Sequence, residues 1–164
     1  MLRLALLAAC GAAFVWITSL GLPGVVASHF GGGGSANGFL SRGTYVGVML
    51  LLVAVAPALL GALTHFGLGS VNTRINLPNR EYWLTPERRA ETISYLQRHL
   101  ENVGTTLIVF LCYVHWLVVR ANTLQPPRLS TSAIIVGVAA FLLFALVSSV
   151  RLLWHFRRPP AREG

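Results

Sequence analysis

The sequence predicts an all-α integral membrane protein, with four transmembrane helices and a cytoplasmic amphipathic helix between the second and third. Three observations carry that prediction. Of 164 residues, 54% are hydrophobic and only 11% charged, whereas charged residues make up about a quarter of a soluble domain. The apolar residues fall into four runs separated by short polar segments. The formal charge of +8 comes entirely from arginine, without Lys or Asp, and most arginines stand at the ends of apolar runs, where a guanidinium reaches lipid headgroups while its stem stays among acyl chains. A nucleic-acid partner would need the charge clustered on one soluble face. The expected partner is the lipid bilayer, with no nucleic acid.

Residues 4–22 carry no charge and, at about 1.5 Å per helical residue, reach across a hydrocarbon core of about 30 Å. Leu7-Ala8-Ala9-Cys10 resembles a lipoprotein cleavage site, but the apolar run continues past it and too little precedes it. The first span is therefore expected to be retained. Pro23-Gly24 ends it, and residues 23–43 read as an outer loop with a flexible centre, because Gly31 to Gly34 and Gly38 lose too much backbone freedom on ordering for helix or strand. Residues 44–66 form the second span, with Pro57 expected to kink it and Gly61 and Gly67 to allow close contact.

Residues 67–102 read as the one sizeable water-facing segment, with Glu81, Glu87, Glu91 and Glu101 beside Arg74, Arg80, Arg88, Arg89 and Arg98. Thr85-Pro86-Glu87 is a helix start: a hydroxyl cap, a proline at the first helical position and an acid at the positive end of the dipole. A helix from there to Asn102 would line up Ala90, Ile93, Leu96 and Leu100 as one apolar stripe. It is expected to lie along the inner membrane surface with Tyr82 and Trp83 at headgroup depth. The base of the helix bundle is an equally compatible seat for that stripe.

The third and fourth spans are residues 103–119 and 132–153, separated by a loop that holds Pro126-Pro127. Trp154, His155, Arg157 and Arg158 form an interfacial anchor after the fourth. The chain reads as a single membrane domain over 1–164, without internal repeat. With the N-terminus inside, Arg3, Arg74, Arg80, Arg88, Arg89, Arg98, Arg151, Arg157, Arg158 and Arg162 are cytoplasmic, and Arg42, Arg120 and Arg128 lie outside. That bias places both termini in the cytoplasm of a multi-pass inner-membrane protein.

His115 is the most unusual polar residue, because it lies within a span. Its expected role is a hydrogen bond to a neighbouring helix. Together with His29 on the same side and Cys112 one turn below, it has donors suited to zinc or copper, but no close-spaced ligand pair accompanies it. No metal or other cofactor is expected. His65 reads as an interfacial residue. No carboxylate falls within a span, and metalloprotease, phosphate-loop and serine-elbow motifs are absent, so no enzymatic activity is expected. Cys10 and Cys112 both lie in apolar runs and read as packed thiols.

The run Leu22-Pro23-Gly24-Val25-Val26-Ala27-Ser28-His29-Phe30, then Gly33 or Gly34, then Ala36-Asn37-Gly38-Phe39 and Arg42, resembles the pattern of the bacterial domain of unknown function 1648 (DUF1648), which also forms the N-terminal part of the SdpI-like immunity proteins. Asn37 stands where that family tends to have an acid, and Phe39 where it tends to have tryptophan. The segment Asn76-Leu77-Pro78-Asn79-Arg80-Glu81-Tyr82-Trp83-Leu84, with Pro86-Glu87-Arg88-Arg89, is similar to one that follows the domain in shorter members. The resemblance implies a non-enzymatic inner-membrane protein with an immunity or envelope-stress binding role, its partner another membrane protein or a peptide. The candidate binding residues are His29, Phe30, Gly34, Asn37, Gly38, Phe39, Arg42, His115, Asn79, Tyr82 and Trp83. The alternatives are a small transporter or its accessory subunit, for which the four-span size speaks, and a structural subunit of a membrane complex.

Overall fold

The computed structural model describes residues 2–62, 66–67 and 75–157. Helix α1, Leu2–Ser19, leads into a hairpin of β1, Val25–Phe30, and β2, Ala36–Ser41, and α2, Arg42–Ala62, returns. After the short α3, Arg80–Trp83, come α4, Arg89–Asn122, and α5, Thr131–Arg157. The helices α1, α2, α4 and α5 are each long and apolar enough to cross a membrane, which fits a multi-pass membrane protein. Leu2, Ile17, Leu143 and Leu146 are among the large apolar side chains left exposed.

The segment 23–43 differs from the loop the glycines predict. Val25 pairs with Ser41, Val26 with Leu40, Ala27 with Phe39, His29 with Gly38 and Phe30 with Ala36, antiparallel and with register irregularities on either side of His29. The glycine run is the turn, and the strands lie in its flanks, where β-branched and aromatic residues favour a pleated surface. Gly31 N–H donates to Ser35 O at 2.9 Å and Gly34 N–H to Gly31 O at 2.8 Å, closing the turn. Gly34 has φ +80°, a backbone setting that residues with a Cβ rarely take.

A second difference concerns the amphipathic helix. It is not a separate element between two spans: α4 runs without a break for 34 residues, about 51 Å by helical rise. Nothing in the chain between Asn102 and Val103 stops a helix. Gly104 does not stop it either, because a Cβ there would stand 3.1 Å from Leu4 Cδ1, so α1 packs over the glycine. A straight rod that crosses the bilayer cannot also lie along its surface. The helix starts at Arg89, and residues 86–88 form a turn in which the Thr85 carbonyl accepts from Arg88 and Arg89 N–H. The predicted hydroxyl cap at Thr85 is replaced by Arg88 at the cap position, without a side-chain cap bond. Part of the predicted stripe, Ile93 and Leu96, packs with Ile75, Leu152 and Phe156, so protein covers it.

The spans are also longer at some ends than hydropathy alone indicates. The first two helices begin at Leu2 and Arg42, and the fourth extends from Thr131 to Arg157. The helix α2 runs through Pro57, which is buried. His65, Arg158 and Arg162 lie outside the described residues.

Lipid tails are as apolar as leucine, so helices in a membrane associate through close packing and polar contacts. Gly11 marks one such crossing: a Cβ there would stand 2.9 Å from Val53 Cγ1, 3.1 Å from Ile108 Cγ2 and 3.2 Å from Cys112 Sγ. Three helices therefore meet at one missing side chain, among the buried residues Val15, Val53 and Ile108. Gly11→Val is expected to cost about 1–3 kcal/mol through overpacking. Thermal unfolding in detergent checks this, with Gly47→Ala, which has open space around it, leaving the midpoint level or higher.

Candidate functional site

The end of the bundle that carries the hairpin is built outward from α4. Asn122, the last residue of that helix, presents its side-chain amide to the free edge of β1. Its Oδ1 accepts from Ala27 N–H at 2.9 Å. Its Nδ2 donates to Ala27 O at 3.0 Å and to Val118 O at 2.9 Å. One side chain thus stands in for a neighbouring strand and also reaches back to a carbonyl one turn down its own helix.

The segment after α4 holds the turn of the hairpin. Leu129 N–H donates to Gly34 O at 2.8 Å, while Arg128 Nη2 lies 3.4 Å from Gly33 O and Thr131 Oγ1 3.5 Å from Gly32 O. A Cβ on Gly34 would collide with Leu129 O. Arg42, at the start of α2, closes the base: its N–H donates to Gly24 O at 2.9 Å and its Nη1 to Leu22 O at 3.2 Å. The hairpin is consequently tied to α2, to α4 and to the α4–α5 connection.

What remains open on this cap is a small surface. His29, Asn37, Phe39 and Val25 are exposed, with Phe39 at 56%. Gly38 lies directly across from His29, and a Cβ on it would stand 2.9 Å from His29 Cβ. Glycine there leaves room for the imidazole, whose Nδ1 lies 3.1 Å from Ser28 Oγ. Phe30 is half-buried against the core, and Gly34 is buried. Seven of the eleven candidate binding residues, His29, Phe30, Gly34, Asn37, Gly38, Phe39 and Arg42, thus share one hairpin and its base.

His115 is elsewhere. It is fully buried where α1, α2 and α4 meet, with Nε2 2.8 Å from Thr18 Oγ1 and Nδ1 2.9 Å from Tyr45 Oη. The Tyr45 ring stacks on the imidazole at 5.7 Å, and Phe14 meets it edge-on at 6.0 Å. The proton positions follow from counting. Thr18 Oγ1 donates to Phe14 O at 2.7 Å, so its single hydrogen is committed and it accepts from Nε2–H. Nδ1 then takes the Tyr45 hydroxyl proton. The opposite tautomer would leave that hydroxyl hydrogen without a partner inside the bundle. Both ring nitrogens are therefore occupied within the protein, and His115 and His29 have separate partners. Among the described residues no cluster of three His, Cys, Asp or Glu side chains gathers.

Asn79, Tyr82 and Trp83 lie at the other end of the bundle, and two of them fasten α5. Asn79, at φ 52° in the left-handed region that Asn tolerates, donates from Nδ2 to Phe156 O at 3.0 Å. Trp83 Nε1 donates to the same carbonyl at 2.9 Å. His155 is stacked on Tyr95 at 4.0 Å and on Trp83 at 5.1 Å, and Thr92 Oγ1 holds Trp83 O at 2.8 Å. Tyr82 lies under the Arg88 guanidinium at 4.1 Å.

Sequence reasoning misses Asn122, Thr18 and Tyr45. The last two carried a readable signal: both are polar residues inside apolar runs, at distances from the hairpin end that match the depth of His115. Two measurements test the geometry. Asn122→Ala leaves Ala27 N–H and O unpaired and is expected to cost about 1–3 kcal/mol, read as faster amide hydrogen exchange along β1. Nitrogen-15 spectra of the detergent-solubilised protein at neutral pH are expected to show His115 protonated at Nε2 and bare at Nδ1; the reverse pattern contradicts the proton count. Against known protein families, curated proteins and solved structures the chain finds no match, so the functional reading rests on this geometry and on the sequence.

Proposed function

We propose that this chain is a non-enzymatic protein of the bacterial inner membrane, with both termini in the cytoplasm, whose hairpin cap binds another membrane protein or a peptide at the outer surface. The observation that carries the reading is the contrast within the cap. Its backbone is tied at Ala27, at Gly34 and at Leu22, while His29, Asn37 and Phe39 are left exposed. A surface whose backbone is already ordered loses little entropy on binding. An exposed aromatic on the same short hairpin as an imidazole and an amide supplies apolar area together with polar groups that set orientation.

Two sequence features support the same assignment. The arginine asymmetry favours the hairpin as the outer end. The residues that resemble the domain of unknown function 1648 coincide with the hairpin and its base, 22–42. An immunity or envelope-stress role is the most specific form of this proposal, the partner then being a peptide that reaches the membrane from outside.

Deleting the gene is expected to sensitise cells to such a peptide or to envelope stress. Restoring the chain with His29→Ala or Phe39→Ala, at wild-type abundance, is expected not to restore resistance. Unchanged sensitivity of the deletion strain, or full rescue by both variants, would contradict the proposal.

A further inference from the structure

Toward the end of the bundle away from the hairpin, α4, α5 and the first turn of α1 border a cleft of about 650 Å³, within the range of roughly 300–1,000 Å³ typical of ligand sites. Its lining divides into two halves of different chemistry. Arg3 of α1, Arg151 of α5, and His99 and Asn102 of α4 supply the polar half. Leu143, Phe144 and Val147 of α5 supply an apolar wall. Among the described residues no carboxylate lines the cleft. Arg3 and Arg151 are exposed, and among the described residues neither makes an ion pair or a side-chain hydrogen bond.

The depth of the cleft is given by helix packing. Leu4 lies over Gly104, which sets the first turn of α1 level with Asn102 and Thr105 of α4. The first apolar run begins just after Arg3 and α4 changes from polar to apolar just after Asn102, and such a boundary is where headgroups begin. Two guanidiniums with no counter-ion among the described residues at that level, above an apolar wall that runs toward the hydrocarbon, match an amphiphile with an anionic head and acyl chains.

We propose that this cleft is a binding site for an anionic phospholipid of the leaflet at this end of the bundle, with Arg3 and Arg151 holding the phosphate and Phe144 and Val147 lying along an acyl chain. It is independent of the hairpin reading, since it lies at the opposite end of α4 and uses none of the same residues.

The test is native mass spectrometry of the full-length protein in detergent with equal amounts of dioleoyl phosphatidylglycerol and dioleoyl phosphatidylcholine, which differ in headgroup alone. The wild type is expected to retain the anionic lipid over the zwitterionic one by about thirtyfold, the factor that two arginines near an anionic surface supply. The Arg3→Gln, Arg151→Gln double variant is expected to bring the ratio close to one, while Arg98→Gln, on an exposed face of α4 outside the lining, leaves it unchanged. Val147→Trp keeps both arginines and narrows the apolar wall, so retention of the anionic lipid is expected to fall by a similar factor even if the double variant does not fold. A ratio unaffected by the cleft variants, or lowered as much by Arg98→Gln, would overturn the proposal. Displacement of the lipid by soluble glycerol phosphate would do so as well, since the site would then take a free phosphate.

Discussion

Four other helices and the first strand are each held by contact with one unbroken helix. From its start upward, α4 takes the Trp83 carbonyl through Thr92, the end of α5 through Tyr95 and Leu96, the first turn of α1 over Gly104 and the start of α5 through the Tyr113 hydroxyl on Ala133 O at 2.8 Å. Higher still, His115 joins α1 and α2, and Asn122 takes β1. A helix satisfies its own backbone along its length, which a membrane interior demands. Its side chains are then free to act as fixed docking points at known heights. The two ends of the protein are thereby set a constant distance apart, the hairpin at one and the α3–α5 clasp at the other.

The polar contacts along that helix share a logic. In the membrane interior there is no water to replace a lost partner, and an unpaired donor or acceptor is expensive. His115 shows the consequence: three side chains from three helices arrange four hydrogen-bonding atoms so that each proton has one destination. Interhelical bonds of this kind contribute about 0.6–1.7 kcal/mol each, less than the packing around Gly11 can. Their larger effect is on uniqueness, because only one rotation of each helix brings Thr18 and Tyr45 to the two ring nitrogens. The same holds at Asn122, whose amide matches the N–H and C=O of a single residue of β1, Ala27.

Much of the architecture was legible in the sequence, and the failures have identifiable causes. Apolar runs bounded by arginine, proline and glycine located all four long helices, since length and hydropathy are properties of the run itself. The hairpin was not legible because the glycines at 31–34 dominate the local propensity, while the pairing of Val25–Phe30 with Ala36–Ser41 depends on contacts outside the segment, above all with Asn122 and Leu129. The continuity of α4 was missed because a change from polar to apolar at Asn102 looks like a boundary. It is a change of surroundings along one helix. His115 was legible as a buried polar group in search of partners; Asn79 and Trp83 were legible as special residues, but not that their donors close the last turn of α5. An asparagine at the end of a span looks like any loop residue, which is why Asn122 gave no sign of its role.

The continuity of α4 is therefore the claim to test most directly. Spin labels introduced by Glu91→Cys and Arg120→Cys, both exposed positions, in a Cys10→Ala, Cys112→Ala background, report the length of the helix by pulsed electron resonance in detergent. One straight helix over those residues predicts a single narrow distance of about 44 Å from 1.5 Å per residue. A helix that breaks at Asn102 and turns its first part along the membrane surface predicts about 32 Å on the same rise, and that value would contradict the account.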